Sequence, residues 1–183
     1  MNKEEKKKFY TLLVYSENIA GILNQITAVF TRRQVNIESL NVSASSIEGV
    51  HKYTITAWSD ADQIEKITRQ IEKKIDVIKA TYFTDDQLFI RETGLYKLST
   101  DVVLQQPEVS RTIRRFDARI TEVNPTYTIV MKSGKTADII DLYRALDEFG
   151  CVLQYTRSGR IAVTRGTQEQ VSEFLEQREK RKV

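Results

Sequence analysis

The stretch Glu17–Val42, ENIAGILNQITAVFTRRQVNIESLNV, decides how this chain is read. It follows a β-like run, Tyr10–Tyr15, of sequence YTLLVY. A polar turn of Ser16, Glu17 and Asn18 leads to Gly21, where a helix is predicted to start and run to about Arg33. Ile22, Ile26, Val29 and Phe30 fall at i, i+4, i+7 and i+8, which is one helical face. Asn36 then opens a second strand, Ile37–Ala44. The order is strand, polar loop with glycine, helix, strand.

That order admits two readings. The first backbone N–H groups of a helix have no partner inside it. They carry partial positive charge and hold a carboxylate or phosphate well. Gly21 has no Cβ to keep a small ligand off the main chain, and the Asn18 amide can donate or accept at the same mouth. The plainer reading is that Ser16 or Asn18 caps the helix and Gly21 only eases the turn. Spacing alone leaves both open.

Working outward, the same grammar continues. Val50–Trp58 is predicted as a third strand, with His51, Tyr53, Ile55 and Ala57 on its core side. Asp60 is a predicted N-cap for a helix over Ala61–Lys73, with Ile64, Ile67 and Ile71 on one face. Val77–Phe83 supplies a fourth strand, so residues 9–83 close one βαββαβ unit. Thr84–Gln87 is the expected boundary, and Asp85-Asp86 within it reads as solvated linker.

A second unit is expected over residues 88–166. Leu88–Leu98 is a long strand with a kink expected at Gly94. Pro107 opens a helix to about Phe116. Strands Arg119–Val123 and Tyr127–Met131 flank the turn Asn124-Pro125-Thr126. Lys135–Glu148 is a helix ended by Gly150, and Val152–Ser158 with Arg160–Thr164 closes the unit. Residues 167–183 are expected as a last helix, capped by Thr167 and carrying Glu169, Val171, Phe174 and Leu175, with a basic tail. The fold class is therefore α+β, two βαββαβ units in tandem.

Composition narrows the function classes. With 183 residues, 40% hydrophobic and 29% charged, the chain matches an ordinary globular protein. No apolar run approaches the length of a membrane span. The charged start MNKEEKKKF reads as a solvated arm and not as a secretion signal. The single cysteine, Cys151, rules out an internal disulfide, and a cytoplasmic location is expected. A net charge of +3 gives no strong footprint for nucleic acid. His51 is the lone histidine, so no Cys/His set stands at metal-ligand spacing. A Cys151–His51 pair lacks any local catalytic signature, and no P-loop or G-x-G-x-x-G occurs. No catalytic and no metal-binding residue is expected.

Against that background, ENIAGIL and VNIESLNV resemble the N-terminal ACT domain of the acetolactate synthase small-subunit family. IDVIKA (Ile75–Ala80) resembles the end of that domain. ITEVNPTY (Ile120–Tyr127) and YTRSGRIAVTRG (Tyr155–Gly166) resemble the family's second domain. The resemblance implies a ferredoxin-like fold for each unit and a regulatory subunit without catalysis of its own. It implies a homodimer formed through ACT domains, with valine held at the interface as feedback inhibitor; the chain's departures from the family pattern leave leucine, isoleucine or no effector as alternatives. Asn18, Gly21, Ile22 and Leu23 match the effector loop of one protomer, and Asn36 and Ile37 match the wall supplied by the other. The implied partner is the large catalytic subunit, which in the family carries thiamine diphosphate, magnesium and FAD; this chain is expected to carry no cofactor. The chain departs from the family at Gln34-Val35, where many relatives have glycine and an aromatic.

The arginines form a separate group. Arg111, Arg114, Arg115 and Arg119, with Arg157, Arg160 and Arg165, read either as a docking surface or as solvated charge. Two other functions on similar folds find less support. An RNA-binding module calls for an aromatic RNP1 pattern on Val50–Trp58, which is missing. An acylphosphatase-like hydrolase, by fold analogy, calls for an arginine within Ser16–Gly21, and there is none.

Overall fold

Alternation along β1 (Lys8–Glu17) places Tyr10, Leu12 and Val14 on one face, where they pack against Ile22, Ile26, Val29 and Phe30 of α1 (Ile22–Arg32). In the computed structural model, which describes residues 7–166 and Val171, this contact is the centre of the first of two units. β2 (Ile37–Ala44), β3 (Val50–Ser59), α2 (Ala61–Glu72) and β4 (Val77–Phe83) complete it. The antiparallel sheet has the order β2-β3-β1-β4. That is the ferredoxin-like βαββαβ arrangement, with both helices on one face.

Local chemistry sets the element ends. Asp60 caps α2, its carboxylate accepting from the Gln63 N–H at 2.7 Å. Ile64, Ile67 and Ile71 seat α2 on the sheet with no exposed surface. Its outer face carries ion pairs, Lys66–Asp62 and Arg69–Glu65. α1 closes with Gln34 at φ 54, while the Val35 N–H reaches the Phe30 carbonyl and Val35 enters the core. That left-handed φ is one glycine adopts without strain.

After β4, a 3-10 turn, Asp85–Gln87, is closed by the Gln87 amide oxygen on the Thr84 N–H. β5 (Leu88–Ser99) follows, then α3 (Thr100–Gln105), α4 (Pro107–Arg115), β6 (Arg119–Val123), β7 (Tyr127–Gly134), α5 (Thr136–Asp147) and β8 (Val152–Arg157). The second sheet has the order β6-β7-β5-β8, with β9 (Ile161–Thr164) also paired to β5. Its core joins Tyr96, Leu98, Val109, Ile113, Val130, Ile139, Leu142, Leu146 and Cys151. The short α3 was not expected from the sequence. The compact units are the chain up to Phe89 together with the segment from Ala162, and Ile90–Ile161.

Gly94 does not kink β5, which pairs with β7 and β8 across this position. It is small because of what approaches it: an added Cβ would lie 2.6 Å from Ile139 Cγ2 and 2.9 Å from the Tyr96 hydroxyl. That hydroxyl donates to the Ile139 carbonyl at 2.7 Å, tying α5 to the sheet. The expected C-terminal helix, with Thr167, Glu169, Phe174 and Leu175, lies outside the described residues, except for Val171, which is buried. Among the described residues no helix is long and apolar enough to cross a membrane.

Candidate functional site

The loop between β1 and α1 is built by backbone bonds to two distant turns. The Glu17 N–H donates to the Asp76 carbonyl at 2.9 Å, and the Asn18 N–H to the Gly49 carbonyl at 3.0 Å. Ser16 is fully buried, and its hydroxyl is engaged by the Glu17 carbonyl and the Tyr53 hydroxyl. Ser16 therefore does not cap α1, and neither does Asn18. The N-cap position is Gly21, at φ 87 and ψ −9, with no side-chain cap. The capping alternative is excluded, and Gly21 sits in the left-handed region that favours glycine.

An uncapped start leaves donors open. The Ile22 N–H makes a long 3.4 Å contact to the Ile19 carbonyl, and the first helical bond runs from the Gln25 N–H to the Gly21 carbonyl. Among the described residues, no hydrogen bond reaches the Leu23 or Asn24 N–H. A Cβ built on Gly21 would meet nothing within 4 Å, so the mouth is open. The backbone here can accept a carboxylate with its dipole aligned.

The residues expected at this site divide by position. Asn18 and Gly21 are exposed, and Leu23 is 40% exposed at the rim. The side chain of Ile22, at 3% exposure, belongs to the core and leaves its backbone at the mouth. Asn36 is exposed, and Ile37 is half-buried against the core. Both lie past the far end of α1. Its 11 residues span about 16 Å at ~1.5 Å per residue. Asn36 therefore stands too far along the chain's own fold to complete the mouth at Gly21.

The surroundings suit a second copy. From Gly21 to Thr31 the chain carries no charge, although Leu23, Asn24, Gln25 and Thr31 are exposed. β2, which starts beside Asn36, is an edge strand of the sheet. Charge is depleted at interface cores, and an unpaired strand edge accepts another strand. The charged face of α2 offers the opposite case. Two features went unrecognised in the sequence: the Gly49 carbonyl as holder of the loop, and the open Asn24 N–H. A signal for the first was present in Glu48-Gly49, a turn pair preceding a strand.

The remaining candidates are structural. Cys151 is buried; its thiol donates to the Leu146 carbonyl at 3.2 Å, and burial pushes its pKa up. Burial likewise raises Tyr96 and Tyr155, and the Tyr155 ring stacks on both Tyr96 and Tyr143. Three of the arginines are engaged within the chain: Arg157 with buried Glu92 at 3.3 Å, Arg160 with the Thr136 hydroxyl, Arg165 with the Leu88 carbonyl. Arg111 pairs with Glu108, and Arg115 lies over the Phe116 ring.

Comparison with known proteins agrees on both units. Residues 12–79 match a family described as the AHAS small subunit-like ACT domain. Residues 91–166 match one described as the small subunit of acetolactate synthase. The acetolactate synthase small subunit of Bacillus subtilis is 32% identical over 167 residues, covering 91% of this chain and 95% of the relative. That of Haemophilus influenzae is 34% identical, covering 85% and 94%. Among solved structures, the acetolactate synthase small subunit of Thermotoga maritima has the same fold, with a TM-score of 0.79 at 23% identity, covering 88% of this chain and 99% of that one.

Proposed function

This chain belongs to the family of acetolactate synthase small subunits, and from that premise we propose that it binds, activates and confers feedback inhibition on a separate catalytic subunit. On this reading residues 9–83, within the first unit, are the ACT domain that dimerises and senses a branched-chain amino acid, valine first. Residues 88–166, which include the second unit, complete the regulatory subunit. The protein works in the cytoplasm and carries no cofactor; thiamine diphosphate, magnesium and FAD belong to the catalytic subunit.

One observation carries the reading: α1 starts at an uncapped glycine with open N–H groups, a helix length away from the asparagine that its own fold presents elsewhere. The valine carboxylate meets the amides near Gly21–Leu23. The Asn18 amide and Asn36 from the second protomer bind the remaining polar groups. Leu23 from one side and Ile37 from the other face the isopropyl group. Hydrogen bonds to a charged group contribute on the order of 1.5–3 kcal/mol each, enough for binding at metabolite concentrations after ordering costs. A ligand held between two protomers biases how they meet, and that bias is the coupling free energy delivered to the enzyme.

The test is direct. The purified chain is mixed with the acetolactate synthase catalytic subunit and acetolactate formation is assayed with and without valine. The expected result is a higher rate on mixing and a valine-dependent fall. No change in either refutes the proposal.

A further inference from the structure

The effector loop rests on the β2–β3 turn through the Asn18 N–H to Gly49 carbonyl bond. What holds that turn in place comes from the end of the chain. Val50, Ile78 and Val171 form a small buried cluster, with Ile47 and Tyr15 packed against it, separate from the core under α1 and α2. Val171 has no exposed surface. Ile47 and Val50 flank the turn that contains Gly49, itself at φ 74. The turn is closed by the Val50 N–H on the Ile47 carbonyl at 3.2 Å and the Ser45 N–H on the Val50 carbonyl at 2.8 Å. A second contact ties the same stretch of chain to this sheet: the Lys52 ammonium donates to the Ala162 carbonyl at 2.6 Å. The chain from Ala162 belongs to the first unit.

We propose that Val171 is a positioning residue for the effector loop, acting through Ile47, Val50 and the Gly49 carbonyl on Asn18. The turn by itself is a short hairpin connection with few apolar contacts, the kind of element that opens locally at low free energy. Val171 covers its two apolar side chains and so suppresses that opening. The loop amides then stay aimed at the ligand before it arrives, which lowers the ordering cost of binding.

The exchange arm of the test stands without the valine reading; the binding arm rests on it. In the full-length chain, Val171→Ala is compared with wild type by amide hydrogen exchange and by calorimetry with valine. The expected result is exchange at Asn18 at least about tenfold faster, with residues of the second unit unchanged. The Kd for valine rises about fivefold or more, and Val171→Ile, which keeps the contact, stays near wild type. Should Val171→Ala not fold, Ile47→Ala reaches the same cluster from the turn. Unchanged exchange at Asn18, or equal acceleration throughout the first unit, overturns the proposal. If wild type takes up no valine, the sensor reading fails, while the exchange result still decides the role of Val171.

Discussion

Replacing Gly21 with aspartate separates charge from backbone at the proposed mouth. At φ 87, any residue with a Cβ carries left-handed strain of about 1 kcal/mol. A Cβ there meets nothing within 4 Å, so the fold survives. Asparagine imposes the same strain and nearly the same shape without charge. A carboxylate at Gly21 lies at the start of α1, where its charge favours the helix by about 0.3–1 kcal/mol. Gly21→Asp is therefore expected to be slightly more stable than Gly21→Asn. Binding runs the other way. Like charges about 5 Å apart repel by ~3 kcal/mol at an effective dielectric near 20, and by roughly a quarter of that where water fills the mouth. At ~1.4 kcal/mol per tenfold, the aspartate variant should bind valine about 4- to 200-fold more weakly than the asparagine variant. Urea unfolding and calorimetry on the same two proteins read both quantities. Equal affinity of the two variants would show that no ligand carboxylate sits there.

Asn36→Ala is expected to weaken valine binding while changing stability by less than about 0.5 kcal/mol, because Asn36 is exposed; an unchanged Kd contradicts its role as the partner's wall. Gly94→Ala forces a methyl to within 2.6 Å of Ile139 and 2.9 Å of the Tyr96 hydroxyl, and should cost about 1–3 kcal/mol in denaturant unfolding; a neutral change means the contact relaxes freely. Gln34→Gly relieves the φ of 54 and should stabilise by about 0.5–1 kcal/mol, read as a higher urea midpoint. Cys151 should resist alkylation in the native protein at pH 8, since burial raises its pKa and so lowers its thiolate fraction, and should react rapidly once urea unfolds the chain.

Much of the fold was legible because its signals are local. Alternation marked Tyr10, Leu12 and Val14 as one face of β1, and spacing marked Ile64, Ile67 and Ile71 as the seam of α2. Asp60 and Gly150 announced helix ends through their own conformational preferences. The site was legible in part. Gly21 was placed at the start of α1, where it stands, and the same periodicity that found the buried face of α1 already placed Ile22 in the core, which the structure confirms. Gly94 reads as a kink in the sequence and instead marks close approach, a distinction that depends on Ile139 and Tyr96 lying opposite it.

From the sequence alone came two βαββαβ units and a glycine at the start of α1, since periodicity and turn residues act over a few positions; the regulatory kinship came from the resemblance of its motifs to a known family. Tertiary structure alone decided that the Gly49 carbonyl holds Asn18 and that Ser16 is buried away from the helix it was placed to cap. Those facts depend on which distant segments meet. A backbone carbonyl carries no residue identity, so nothing in the letters records which amide it will accept.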